Sequence, residues 1–509
     1  MPIENSVAAL LANVNKQIEE GYPRNLDTLR VFLESQDNAI IRIFIADSSG
    51  YGHQSNTANI MRRLIALGFR QQYYIVYQPG DDNGNFIKLQ RLFPGLTADN
   101  QGNFDLVTTA ETANCNFVSS VTFLAADPAP AMTSIGFTGG WDTNPTNLAT
   151  TYRSHYFLKL QPYQWDEPKK IAIQTKLSTI AQFEEAEQVN LDAIEALGHF
   201  SGRAYYMPTP IPAIEGNFTG ASAAKWAPYQ AILAASAASQ VNMMPVYGIG
   251  DLFGVIEAMA GVRPETLLYN LIAGIALAQT EGAASLRRSA VLTIIATVTP
   301  KAWTNLQTLI DGEFNEKAAL NKFSTDTLDL AACVTIIDYG AANFDATLLA
   351  ATQNPNRIVL VKFNGLPQPA FDYIYSQATL PSLFEGKGTA NLALNINNPF
   401  LWIRDSAKPL YPTLPLGAQA EFIAGDMSAI AKTLNDTPQQ TNANLINGGV
   451  SWENSAPMQL SFALNLLANP QQGLSQYFSS LFEFFHNPEE DKLFQGTFYL
   501  VNFINAQNQ

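Results

Sequence analysis

The residues best suited to chemistry in this 509-residue chain fall in two glycine-spaced turns. One is Glu385-Gly386-Lys387-Gly388-Thr389, which runs into the helical pattern TANLALNI. Gly386 and Gly388 let backbone N–H groups come close to an anion. Thr389 can cap the helix or reach a phosphate oxygen, and a helix N-terminus offers roughly half a positive charge with uncommitted donors. Glu385 suits two ribose hydroxyls as their acceptor, and Lys387 either neutralises phosphate or faces solvent. A plain helix cap with glycines for turning explains the same residues, so composition leaves both readings open. The other turn, SSGYGHQS, carries His53. An imidazole with a pKa of about 6.5 suits removal of a proton from a hydroxyl at neutral pH. Asp47 closes the apolar run AIIRIFIAD and is the alternative base, at the edge where open α/β sheets bind ligands; its plain alternative is loop bonding or capping.

Lesser candidates stand at other predicted strand ends. In YGIGDLFG, Gly248, Gly250 and Asp251 either present amides to a ligand or cap the next helix. Lys362 and Asn364 close RIVLVKFN and are candidates to flank a nucleotide's base or phosphates, and GFTGGWD (136–142) reads as a turn or as part of a second ligand's surface. No Asp-x-Asp triplet, H-E-x-x-H, phosphate-binding G-x-x-x-x-G-K-[ST] or G-x-S-x-G occurs, and the four histidines are scattered. The expectation is therefore a metal-independent site with no cofactor, in which loop amides and a helix end stabilise leaving-group charge.

The elements that must position these residues alternate between short β runs and helical patterns, as βα units around a mostly parallel sheet do. A first series has strands at 39–47, 104–110, 116–124 and 155–165 and a strand with its turn in QQYYIVYQPG (71–80), with a helix over NTANIMRRLIALGF placing Ile60, Leu64 and Leu67 on one face and closing at Gly68. Residues 178–240 read as mainly helical. A second series has strands at 242–250, 289–298, 333–340, 357–364 and 399–403, with helices at 251–281, 300–311 and 343–352 between them. Helices and aromatic-rich segments fill the remainder. Such a length predicts more than one core, and no repeat of solenoid type is present.

Composition narrows the class. Hydrophobic residues make up 47% and charged residues only 14%, and the net charge is −15. A field of that sign repels phosphate backbones and anionic lipid, so nucleic acid is not an expected partner. Arg62-Arg63 and Arg287-Arg288 are the basic exceptions and read as solvated features. Cys115 and Cys333 have neither disulfide-framework nor zinc spacing, and Cys333 reads as a buried inert thiol. The most apolar stretch, 267–279, is too short to span a bilayer, and the N-terminus lacks a secretory pattern. The expected location is the cytoplasm, or a host cell reached by specialised secretion.

Residues Leu380 to Ile403 resemble the donor-side loop of GT-B glycosyltransferases, and DSSGYGHQSNTANIMRRL resembles the N-terminal loop of monogalactosyldiacylglycerol synthase and the peptidoglycan GlcNAc transferase. The resemblance covers about 45 residues. It implies two Rossmann-like domains facing each other, at 1–240 and 241–415, with a helical extension at 416–509. It implies Glu385 for ribose; Gly386, Gly388, Thr389 and Asn391 for diphosphate; Gly248 and Gly250 facing the donor; and His53 near the transfer point. Ser48, Ser49 and Tyr51 depart from the glycines usual in that N-terminal loop. The function implied is metal-independent transfer of a sugar from a nucleotide diphosphate sugar to an acceptor, proteins included, and a nearby base favours inversion. Alternatives are a nucleotide-sugar epimerase or hydrolase on the same fold, and a non-catalytic host-interaction protein.

Overall fold

The computed structural model describes residues 23–36, 39–48, 50–108, 111–140, 147–161, 171–175, 179–183, 211, 217–249, 264–311, 329–384, 386–402, 456–471, 473–486 and 490–507. These form two α/β units. One takes the described residues of Ala8–Gly220, Pro367–Ala370 and Glu483–Gln509; the other takes those of Ala221–Leu366 and Phe371–Phe482.

The first unit holds strands β1 (Ile40–Ile45), β2 (Gln72–Tyr77), β3 (Phe104–Val107), β4 (Thr112–Ser119), β5 (Thr133–Thr138), β6 (Ser154–Leu160), β7 (Ile171–Thr175) and β8 (Thr179–Phe183). They lie in the order β3-β4-β2-β1-β5-β6-β7-β8. The five strands β4-β2-β1-β5-β6 are parallel, while β3 at one edge and β7 at the other run against them and β8 pairs antiparallel with β7. The parallel part is doubly wound, and the direction of winding reverses between β1 and β5. Helices α1 (Pro23–Glu34), α2 (Gly52–Ala66), α3 (Gly84–Leu92), α4 (Ser120–Ala125) and α5 (Leu148–Thr151) belong to this unit.

Both sheet faces are covered, which is why β1 is apolar at every position but Arg42 rather than alternating. On one face Ile41, Ile43 and Ile45 pack into a core with Ile60, Met61 and Leu64 of α2 and with Leu493, Leu500 and Ile504 near the C-terminus. On the other, Phe44 and Val76 join Phe123, Leu148 and Tyr152. Arg42 interrupts the apolar run and is buried. Its guanidinium lies 4.4 Å from the Tyr74 ring centre and 4.8 Å from that of Phe123, and it donates to the Ala131 carbonyl at 2.9 Å. Burial lowers its pKa to about 10.

The second unit holds β9 (Val241–Val246), β10 (Ser289–Ile294), β11 (Val334–Asp338), β12 (Ile358–Lys362), β13 (Ser382–Phe384) and β14 (Phe400–Trp402), all parallel, in the order β11-β12-β10-β9-β13-β14. With the edge strand β11 set aside, β12-β10-β9-β13-β14 repeats the winding of the first unit, and its reversal falls between β9 and β13. Helices α6 (Trp226–Ala237), α7 (Pro264–Glu281), α8 (Pro300–Asp311), α9 (Leu330–Cys333) and α10 (Phe344–Gln353) follow. Next come α11 (Gln368–Ser376), whose first residues belong to the first unit, and α12 (Lys387–Asn395), which links β13 to β14. The apolar stretch 267–279 lies inside α7, which is buried against α13 (Ala456–Leu467): Gly274 takes up Leu460 so closely that a Cβ there would stand 2.6 Å from Leu460 Cδ2. Among the described residues no helix is long and apolar enough to cross a membrane. Helices α14 (Gly473–Phe485) and α15 (Lys492–Gln507) end the chain, and α15 packs on β6 of the first unit, where Gly496 meets Leu158 and Leu160.

Several elements depart from expectation. The run 116–124 is not one strand: Ser119 ends β4 and its Oγ accepts from Thr122 N at 3.1 Å, so a capped helix begins at Ser120. Residues 179–183, expected to be helical, form β8, where β-branched Thr179 and Ile180 extend the sheet beside β7. Strands β5, β7 and β13 were not anticipated, and Gly136 lies within β5, where its missing side chain makes room for the Phe157 ring. Arg63 and Arg62 are buried rather than solvated, whereas Arg287 is exposed. Cys333 ends α9 half-buried instead of lying inside a strand, and Cys115 is buried on β4, where desolvation pushes its thiol up to about 12. Both thiols are free.

Candidate functional site

Open α/β sheets bind ligands at the carboxyl edge where the winding reverses, because the loops leaving the two neighbouring strands part in opposite directions there. In the second unit the loop after β9 and the turn after β13 flank that position. β9 and β13 meet through Leu383 and Val246, and Tyr247 N donates to Leu383 O at 2.9 Å. Gly248 follows with φ +78°, and Gly386 caps α12 with φ +99° and ψ 133°. Such backbone angles exclude an L side chain, and no heavy atom lies within 4 Å of where a Cβ on Gly386 would be.

The helix begins earlier than the sequence suggested. Gly386 is the N-cap, not Thr389, so Lys387, Gly388 and Thr389 form the first turn of α12 and Ala390 N makes an intrahelical bond to Gly386 O at 3.2 Å. Gly388 and Thr389 are half-buried, and Asn391 is buried one turn on. The first-turn amides of Lys387, Gly388 and Thr389 have no partner within the helix by its geometry. Glu385, Gly250 and Asp251 lie outside the described residues, as does the side chain of Lys387. Asn364 is two strands away, in the turn after β12, with φ +50°.

In the first unit the corresponding reversal lies between β1 and β5, and Asp47 and His53 are both there. His53 is not in the loop but in the first turn of α2, which starts at Gly52, and it is 9% exposed. Its imidazole lies on Gly140, just after β5: a Cβ at Gly140 would stand 2.3 Å from His53 Cδ2. Gly139 comes as close to the helix backbone, where a Cβ would be 2.4 Å from Thr57 N, and Gly139 N donates to Thr57 Oγ1 at 2.9 Å. Thr57 Oγ1 in turn donates to His53 O at 2.8 Å. The GFTGGWD segment thus supplies the floor beneath His53, through Gly139 and Gly140, because only glycine lets strand end and helix start approach so closely.

Asp47 is held differently. Lys88 of α3 bonds its Oδ1 at 3.0 Å and also reaches Ser48 O, while Gly80, with φ +70°, makes room for Oδ2. A chain of side chains braces the loop from behind. Ser48 Oγ donates to Gln54 Oε1 at 3.0 Å, Gln54 Nε2 to Asn85 Oδ1 at 2.9 Å and Asn85 Nδ2 to Gln78 O at 2.6 Å, and Gln78 Oε1 accepts from Asp47 N at 3.0 Å. Lys88 and Asn85 were missed in the sequence because no spacing relates them to the turn they support, and only the β2–α3 fold-back brings them there; Gln54 stands in the turn's own sequence, but its partner Asn85 does not.

Lys159, in register with Thr138 near the same edge, is 6% exposed, and burial alone lowers its pKa from 10.5 to about 8. Between those values the unfolded chain keeps a proton that the folded chain has lost, so this residue makes stability rise with pH across that window and weighs against the fold below it. The stability of Lys159→Met relative to wild type is expected to be greater at pH 7 than at pH 10. Urea melts at pH 7 and pH 10 should show the difference falling at the higher pH; a difference that does not fall would point to packing instead.

Among the described residues no group of three or more His, Cys, Asp or Glu side chains is placed to hold a metal ion. The described residues among those proposed from sequence thus lie at two strand-edge positions, one per unit, with Lys362 and Asn364 apart from the β9–β13 reversal. No protein-family model matches the sequence, and no curated protein matches it either.

Proposed function

We propose that the protein is a glycosyltransferase of GT-B type that takes a sugar from a nucleotide diphosphate sugar without a metal ion. The observation that carries this reading is the pairing of Gly248 with the Gly386-capped start of α12 across the β9–β13 reversal. A diphosphate bound there meets first-turn amides and the positive end of a nine-residue helix. Glu385, adjacent to the cap, would take the ribose hydroxyls. As the glycosidic bond to phosphate breaks, the same amides stabilise the charge developing on the departing diphosphate.

His53 is the preferred base for the acceptor hydroxyl. The Lys88 ion pair commits Asp47 Oδ1 to holding its loop, whereas His53 starts a helix at the edge of the sheet. The acceptor is a hydroxyl compound, proteins included.

A thermal-shift screen of UDP-, GDP- and dTDP-sugars tests the reading, since a ligand that binds the native state raises its melting temperature. One nucleotide should raise it, by an amount equivalent to about 2.7 kcal/mol at a hundredfold excess over Kd, and Glu385→Ala should abolish the rise. Absence of a shift with all three would defeat the proposal. Donor consumption without any acceptor would instead favour the hydrolase or epimerase alternative.

A further inference from the structure

The turn after β12 is built around a buried lysine that the proposed chemistry does not use. Phe363, Asn364 and Gly365 turn with two successive left-handed residues, φ +50° at Asn364 and +83° at Gly365. Asparagine is one of the few non-glycine residues that enter that region readily, so the sequence Asn-Gly suits the turn. Backbone bonds from Phe363 N to Ile294 O (2.9 Å) and from Gly365 N to Ile295 O (2.7 Å) anchor both sides of the turn to the end of β10. Two further polar groups of the turn, the carbonyls of Phe363 and Gly365, converge on one cation. Lys225, at the end of the 3-10 turn Gly220–Lys225, donates to both, the Gly365 bond being 2.6 Å. Its ammonium lies 5.3 Å from the centre of the Tyr339 ring, which stacks on Phe363 at 6.0 Å and 8°. Lys225 is 9% exposed, and burial lowers its pKa. The carbonyl oxygens on either side of Asn364 are thus drawn inward to one point, while Asn364 itself is exposed at the carboxyl edge of the sheet.

We propose that Lys225 is a positioning residue that fixes the Phe363–Gly365 turn so that Asn364 can bind the nucleoside diphosphate part of the donor. This rests on the donor-site reading above. It names a residue that no nucleotide-binding pattern in the sequence indicates, because Lys225 precedes the first strand of its unit and acts through backbone carbonyls.

The test uses the full chain with Lys225→Met, Asn364→Ala and the double variant, titrated calorimetrically with UDP, GDP and dTDP. Each single variant is expected to weaken binding of the cognate nucleotide roughly tenfold, a change of about 1.4 kcal/mol. The double variant should lose no more than the larger single loss, because one residue acts through the other. A merely structural lysine would lower the melting temperature without producing that non-additivity. Wild-type affinity in Lys225→Met, or losses that multiply in the double variant, overturns the proposal. Amide exchange separates the two readings. If no nucleotide binds wild-type protein, the donor-site reading fails by itself. Exchange at Gly365 that is unchanged in Lys225→Met shows that the lysine does not fix the turn, whereas acceleration of about tenfold supports the tether.

Discussion

Asp491→Ala is expected to cost about 3–5 kcal/mol of unfolding free energy, enough to leave the first unit marginal at room temperature. Arg63 of α2 and Asp491, just before α15, form a two-point ion pair, Nη1 to Oδ1 at 3.1 Å and Nη2 to Oδ2 at 2.6 Å, with the side chains 1% and 3% exposed. The same carboxylate accepts from Leu493 N at 2.8 Å and so caps the C-terminal helix. Truncation therefore removes a cap and strands a guanidinium in the core. The pair's net value is far smaller than the cost of breaking it, because both charges have been taken out of water. Arg63→Met with Asp491→Leu should accordingly recover most of the stability lost in Asp491→Ala. Urea unfolding followed by circular dichroism measures both. A loss below about 1 kcal/mol in the single variant would mean that water reaches the pair.

His53→Ala should reduce sugar transfer by about a hundredfold or more, the range in which a positioned general base contributes. The imidazole lies on Gly140 at the edge where β1 and β5 part, and His53→Gln keeps much of that packing without a group able to take a proton at neutral pH. Both variants should bind the cognate nucleotide as the wild type does, since the residues assigned to the donor belong to the other unit. Asp47→Ala is a different perturbation. It frees Lys88 and loosens the braced loop, so its effect should appear in stability as well as in rate. Transfer within threefold of wild type in both His53 variants would remove His53 as the base and leave the donor site untouched.

The α/β class and most strands of both series were legible in the sequence, because a strand covered on both faces reads as a near-continuous apolar run and β1, β10 and β12 do, with Arg42, Ser289, Thr293 and Lys362 as the exceptions. Gly68 also announced a helix end, since its left-handed backbone is available to glycine, whereas α12 is capped at Gly386, ahead of the Thr389 cap that the sequence suggested. Short strands with mixed composition, such as β5 and β13, were not legible, because their burial comes from neighbours distant in the chain. Serine hid the break at Ser119, where it served as a cap although a β reading fitted the same letters.

Unaided, the sequence determined which residues have the chemistry to matter: a histidine beside glycines, a glycine-flanked helix start and an acidic residue before it. Only the tertiary structure decided that the histidine and the glycine-flanked helix start each fall where a sheet reverses its winding, that Lys88 occupies Asp47, and that Lys225 holds the turn of Asn364. Strand order and long-range lysine contacts depend on which β strands pair, and that is set by burial of the whole sheet, not by spacing within any one motif.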